Sequence, residues 1–594
     1  MNHRIRDRLV VAACALALSA AAVAGQHAPT RLASKHFIVE ADSTATALRL
    51  VGSVGGHASR PLPIINAVAA DLSAGQSAKL KSDSRLRVYD DRAVTASATK
   101  KQTVAMLATV TAAQQSFATG ATNSPPVQFL SSNTAPDTAA MVGAPALHAA
   151  GTVGTGVTIA MLDTGFSPET KPTFAFDKWG SRVLARVDFS ATQGGTVVTD
   201  AYGHGTQITS VAGSGAKDSG GNYYGIAPGA NFVIVRAFDG SGAGSYSNVI
   251  SGLNWIVANR TKYNIRIINL SLGATPQSSY WDDPLNQAVM AAWQAGIVVV
   301  VAAGNDGPAA QTIDVPGNVP YVITVGAVSD NHTPNNPSDD HLASFSSTGP
   351  TYEGFVKPEV VAPGGHILAS MPNSSTLATE IFGAITDPYT QFPLSGTSQA
   401  AAVTSGVVAL LLQQQPALTP DEVKCKLMAG ATPALTRAGT LAYSVFQQGA
   451  GIVNAMGAVN TSATGCANQG LNIGADLAGT AHFGGPANQD ASGNFYVMNM
   501  TGSVPFAADP TDGFTWSGAF AWNQGYTWSD AYVWSKAYVW SKAYVWSKAY
   551  TWSATAVWSQ AYVWSKSLTW ANSTVSTTSL STQPLSAPFP AQEE

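Results

Sequence analysis

Charge is the scarcest thing in this chain. Only 11% of its 594 residues are Asp, Glu, Lys or Arg, less than half the share of about 25% usual in soluble proteins. Lys and Arg number 31 against 35 Asp and Glu, a formal net charge of −4. That balance lacks the basic footprint of a nucleic-acid binder, and no polybasic run offers an electrostatic anchor for anionic lipid. Cysteine is almost missing: there are three, with no zinc-ligand spacing. Beyond the N-terminal segment, no apolar run reaches the roughly 18 residues of a membrane-spanning helix.

What is present begins with that segment. Arg4, Arg6 and Arg8 precede an apolar run from Leu9 to Val23, and Ala22-Val23-Ala24 supplies small residues for cleavage. Basic head, short apolar body and small-residue exit predict a secretory signal peptide over 1–24 and an extracellular product. Cys14 leaves with it. Cys425 and Cys466 then stand in an oxidising compartment, either bridged across 41 residues or as two buried thiols.

The remainder divides by pattern. Residues 33–94 read as a small α+β unit, with strands at Lys35–Glu40, Pro63–Leu72 and Leu86–Asp90 and a helix over Ala45–Val54. Residues 95–134, rich in Ala, Thr, Ser and Gln, read as a linker. From 135 to 462 apolar strands alternate with helices, the signature of an α/β domain on a mainly parallel sheet. Residues 463–515 read as a β-rich connection, 516–571 as a repeat, and 572–594 as a Ser/Thr/Pro tail of disordered composition.

Four stretches of the α/β domain end or begin in polar residues that a core would not hold. Val157–Leu162 runs into Asp163-Thr164-Gly165, and Ile297–Val301 runs into Ala302-Ala303-Gly304-Asn305. Gly203-His204-Gly205-Thr206 opens a helix from Gln207, and Gly396-Thr397-Ser398-Gln399 opens another over Ala400–Leu412. In open α/β sheets the functional crevice lies at the carboxyl ends of the strands, so Asp, His, Asn and Ser point to one rim. Acyl transfer needs that set. A serine hydroxyl requires an imidazole to take its proton. The imidazole requires a carboxylate to hold its tautomer, and the tetrahedral oxyanion requires pre-placed donors such as an asparagine amide. Taken singly, each residue is an ordinary cap or turn former; the ordered combination is what carries the reading.

The order Asp163, His204, Ser398, with flanks Asp-Thr-Gly, Gly-His-Gly-Thr and Gly-Thr-Ser, resembles the subtilisin-like serine proteases. Asn269–Gly273, Lys357–Gly364 and Gly449–Ala455 resemble further stretches of that family. The resemblance implies a three-layer α/β catalytic domain over 135–462. It also implies an endopeptidase acting on polypeptides through Asp163, His204 and Ser398, with Asn305 in the oxyanion hole. Ser271, Leu272 and Gly273 together with Ala302, Ala303 and Gly304 would then bind substrate. The unit at 33–94 would be an inhibitory propeptide, removed by self-cleavage within 95–134. No cofactor is implied for catalysis and no metal ligand is assigned. The polar stretch Asp330–Asp340 has the composition of either a calcium loop or a solvated one. Two positions depart from the family pattern. Gln399-Ala400-Ala401-Ala402-Val403 stands where Met-Ala-Ala-Pro-His is usual, and Gln207 replaces a second histidine.

Ten tryptophans from Trp516 to Trp570 recur every six residues in a unit close to Ala-Tyr-Val-Trp-Ser-Lys. A helix would scatter them over three faces, whereas a strand keeps an even period on one side. Fully extended, the segment would reach roughly 180 Å, so it must fold back or coil. A hexad β-solenoid accounts for it better than hairpins, because Ser-Lys is a poor tight turn. Aromatic faces of this kind suit a cell-surface, glycan or polymer platform, or pack on themselves as a spacer. A second class of function therefore stands beside the protease: a surface binder whose protease-like domain is only a scaffold.

Overall fold

The computed structural model describes residues 34–96, 138–167, 182–190, 199–218, 220–330, 340–382, 391–435, 441–489 and 495–497, with short strands at 520–521, 526–528, 550–551 and 568–570. The signal segment, most of the linker, residues 331–339 of the candidate calcium loop, most of the repeat and the tail lie outside the described residues. Among the described residues no helix is long and apolar enough to cross a membrane.

Two compact units form. The first holds strands β1 (Lys35–Glu40), β2 (His57–Leu62), β3 (Ala67–Leu72) and β4 (Arg87–Asp90), in the order β2-β3-β1-β4, with helices α1 (Thr44–Ser53) and α2 (Ala74–Lys81). This is the βαββαβ arrangement of ferredoxin-like folds. Phe37, Val39, Val51, Val68 and Leu72 form its core. Two elements differ from the sequence reading. The single strand expected over Pro63–Leu72 is a short 3-10 turn followed by β3. Helix α2 was not foreseen, although Ser73 and Gln76 form a reciprocal capping box at its start.

The second unit contains an eight-stranded sheet. Along it lie β7 (Val183–Asp188), β8 (Asn231–Arg236), β6 (Thr158–Asp163), β10 (Ile265–Leu270), β12 (Val298–Ala302) and β13 (Ile323–Ser329), with β15 (Val360–Pro363) parallel to β13. Only the two-residue β14 (His341–Leu342) runs antiparallel. Every residue of β6, β12 and β13 is buried, as expected for parallel strands covered on both faces. Helices α3 (His204–Gly213), α4 (Tyr246–Asn259), α5 (Pro284–Gln294), α6 (Thr397–Gln414) and α7 (Pro420–Gly430) complete the described core. Helix α6 is buried on all sides from Thr397 to Leu412. Gly406 permits this, since a Cβ there would lie 2.5 Å from Ile226.

The stretch assigned to the linker begins inside a strand. β5 (Ala93–Ala96) is the central member of a three-stranded antiparallel sheet, between β9 (Ala243–Ser245) and β11 (Leu272–Gly273). Pattern reading missed it because its four small residues carry too little apolar periodicity to register. In the repeat, Tyr526–Trp528 pairs antiparallel with both Tyr550–Thr551 and Leu568–Trp570. That differs from the parallel coil of a β-solenoid.

Two further features tie the domain together. Glu359 is buried against two lysines, with Lys357 Nζ at 2.7 Å and Lys424 Nζ at 2.8 Å. Burial and the neighbouring Lys424 drag the Lys357 ammonium down to about 7, against the pull of Glu359. Cys425 on α7 and Cys466 are bridged, with Cα atoms 5.1 Å apart. In the chain-entropy account a loop of this length stabilises the fold by about 4 kcal/mol. Replacing both cysteines by serine should lower the unfolding free energy by up to that amount; equal urea midpoints for variant and parent would show that the bridge restricts nothing in the unfolded chain.

Candidate active site

Asp163 is the last residue of β6, so its side chain leaves the sheet at the carboxyl end beside the reversal in strand order. His204 is the first residue of α3. The helix starts three positions earlier than the sequence suggested, because tertiary contacts require the glycines that argued against it. A Cβ on Gly205 would lie 2.3 Å from the Gly165 carbonyl, so the Asp163 loop and the His204 helix meet backbone to backbone.

His204 Nδ1 lies 2.8 Å from Asp163 Oδ1, and both side chains are 1% exposed. With Asp163 as acceptor the ring proton sits on Nδ1 and the lone pair on Nε2. Among the described residues Nε2 is buried without a hydrogen-bond partner. Burial works to lower the His204 pKa. The charge and hydrogen bond of Asp163, aided by the charge of Asp200, outweigh it and raise the imidazole above its ordinary 6.5.

Asp200 holds this arrangement and was missed in the sequence. It is 2% exposed. Its Oδ1 accepts from Thr164 Oγ1 at 2.8 Å and the Gly203 N–H at 2.7 Å. Its Oδ2 accepts from the Thr206 N–H and Oγ1, each at 2.7 Å. One carboxylate therefore binds the loop after β6 to the first turn of α3, where a negative charge also suits the helix dipole. The only sequence signal was an acid four positions before His204.

Ser398 is the second residue of α6 and fully buried. Its Oγ lies 3.4 Å from the Ser271 carbonyl, while Ser271 Oγ donates to the Ser398 carbonyl at 3.0 Å. Behind them Asn269 Nδ2 donates to Ser271 Oγ, and Ser405 Oγ donates to Asn269 Oδ1. Asn305 follows β12. Its Oδ1 accepts from the Thr397 N–H at 2.9 Å and Thr397 Oγ1 at 3.0 Å. Those bonds commit the oxygen end and turn the Nδ2 donor the other way, as an oxyanion site requires. Leu272 and Gly273 form β11 against β5. Gly304 shares two backbone contacts with Thr397 Oγ1. Ala302 and Ala303 are buried and spend backbone groups on β13 and on the Asp314 N–H, so they support the wall from behind.

The two family departures meet each other. Gln399 Nε2 donates to Gln207 Oε1 at 2.9 Å, and Gln207 Nε2 donates to the Ile367 carbonyl at 3.0 Å. Residues adjacent to Ser398 and one turn after His204 are thereby joined, which brings the starts of α6 and α3 side by side. Both amides are buried. Truncating Gln207 to Ala should cost about 1–3 kcal/mol through the stranded Gln399 amide, whereas Gln207→Leu with Gln399→Leu should cost less than the sum of the single changes. Additive losses in chemical denaturation would show the two amides to be uncoupled.

Residues 154–451 match the model of the Peptidase S8 family, described as the subtilase family. Serine protease AprX of Bacillus subtilis is 41% identical over 287 residues, 47% of this chain and 61% of that protein. Subtilisin DY of Bacillus licheniformis is 31% identical over 294 residues, 49% of this chain and 89% of that protein. The match with AprX thus spans less than two thirds of its length. Among solved structures, fervidolysin of Fervidobacterium pennivorans, described as a keratinolytic enzyme related to subtilisin, superposes with a TM-score of 0.53 at 21% identity. The superposition covers 74% of this chain and 63% of that one, and it speaks for the fold. On its sequence, its mainly parallel sheet and its Asp-His-Ser set, this chain belongs to the subtilase family of serine-type endopeptidases.

Proposed function

We propose that this protein is a secreted serine endopeptidase made as a zymogen. The buried Asp163–His204 pair carries the reading, with a lone pair held ready on Nε2 next to the helix that presents Ser398. In the proposed reaction Ser398 Oγ attacks the peptide carbonyl while Nε2 takes its proton, and Asp163 balances the resulting imidazolium. The oxyanion is met by Asn305 Nδ2 at the start of α6. Collapse breaks the C–N bond, His204 returns the proton to the leaving amine, and the acyl group remains on Ser398. Water then attacks that ester, with the same nitrogen as base.

The zymogen reading is supported by β5. It adds to β9 and β11 on both sides through main-chain pairing, as an extended peptide substrate would. The preceding residues fasten it. Asp91 accepts from the Ser247 N–H at 2.9 Å and Oγ at 2.7 Å, and the Arg92 guanidinium lies 5.0 Å over the Tyr246 ring. Secretion is supported by the basic-apolar-small pattern of residues 1–24.

A serine-directed fluorophosphonate should label the processed protein and leave Ser398→Ala unlabelled. The same variant should retain the N-terminal unit that the active chain loses, as read by intact mass. Equal labelling of both chains would remove Ser398 from the reaction. With a substrate of uncharged side chains, kcat/KM should rise with pH through a midpoint above 6.5, because only neutral His204 accepts the proton and its pKa is raised. A profile flat from about pH 5 to 9 would contradict a histidine base.

A further inference from the structure

Beyond the residues already assigned, one acid stands unpaired in the wall of the cleft. Asp314 is 8% exposed. Its carboxylate makes no hydrogen bond or ion pair among the described residues, although its backbone is clamped. Its N–H donates to the Ala303 carbonyl at 3.0 Å, and the next residue, Val315, exchanges two hydrogen bonds with Ala274. A Cβ built on Gly273 would lie 2.5 Å from Asp314 Oδ2, and one on Gly304 would lie 2.7 Å from the same oxygen. Gly273 in β11 and Gly304 just after β12, both without a Cβ, therefore flank one recess in which this carboxylate oxygen lies.

The register of β5 indicates which part of a substrate reaches it. Thr95 faces Gly273 and Ala96 faces Leu272. A peptide lying in that register brings its next residue opposite Ser271, whose carbonyl is 3.4 Å from Ser398 Oγ. That residue carries the carbonyl under attack. Its side chain has Gly273 on one flank and, on the other, Gly304, the neighbour of the oxyanion residue Asn305.

We infer that Asp314 forms the floor of the pocket for the residue preceding the cleaved bond and selects a cationic side chain, arginine or lysine, there. The inference rests on the endopeptidase reading and adds its specificity. A buried carboxylate without a partner is costly, and a guanidinium or ammonium entering the recess supplies the missing charge and donors. A carboxylate in the equivalent pocket sets the same preference in trypsin, on an unrelated fold. Two charged groups act on Asp314 from neighbouring elements: Asp306 after β12 and Arg92 before β5. Burial above all, together with Asp306, lifts its carboxyl to about 7 against the opposing pull of Arg92.

The test uses the processed protein, counted by fluorophosphonate titration, on peptides differing only before the cleaved bond: arginine, lysine, leucine, or citrulline as the neutral mimic of arginine. At pH 8 kcat/KM for arginine should exceed that for citrulline by at least about 30-fold, the lower range for breaking a buried charge pair. The arginine-to-citrulline ratio should fall as the pH drops through about 7, because protonation removes the selecting charge. The ratio cancels the contribution of His204, which both substrates share. Asp314→Asn should bring the ratio close to one. If that variant does not fold, the wild-type ratio and its pH dependence decide alone. Equal cleavage of arginine and citrulline peptides by fully labelled protein overturns the assignment of Asp314 and leaves the endopeptidase reading standing; absence of both labelling and cleavage overturns the two together.

Discussion

The arrangement depends on one buried carboxylate holding one imidazole. Asp163 and His204 come from segments 41 residues apart, and each is 1% exposed. Neither charge would be tolerated there alone. Asp200 makes the pairing a matter of backbone geometry, since it binds the loop of one partner to the helix of the other through four hydrogen bonds. The central sheet supplies the rigid base, because strands buried on both faces cannot slip without exposing their side chains.

Much of the site was legible because each part is a short polar motif at the end of an apolar run. Asp163 ends a strand, Asn305 follows one, and His204 and Ser398 lie in the first turns of helices, close to where the patterns put them. The start of α3 was misplaced because Gly203 and Gly205 weaken helix propensity locally. The value of Gly205 appears only when the close approach of Gly165 is known, and that of Gly203 when Met371 and Ser375 are seen against it. Gln207 and Gln399 read as two unrelated departures, 192 residues apart, until the fold placed them in contact.

The misses in the N-terminal unit have local causes. β2 was not foreseen; it holds Pro61, and it is an edge strand, where a missing N–H is tolerated. Asp314 was invisible for another reason. An acid between Ile313 and Val315 has no motif, and its meaning comes from two glycines, 31 residues apart in sequence, that converge on its oxygen.

The three-stranded sheet around β5 has a consequence for discrimination among peptides. β9 and β11 are short, three and two residues, and β5 is the strand each pairs with in this sheet, Gly244 of β9 also bridging Phe238. Once that middle ribbon is withdrawn, what remains is a slot with bare amides and carbonyls along both rims. Such a slot grips any extended polypeptide with the same strength, since every residue but proline offers the same backbone groups. Choice among sequences must then come from the hollows beneath the slot, and a few side chains lining them can retune the protein's diet without disturbing its grip.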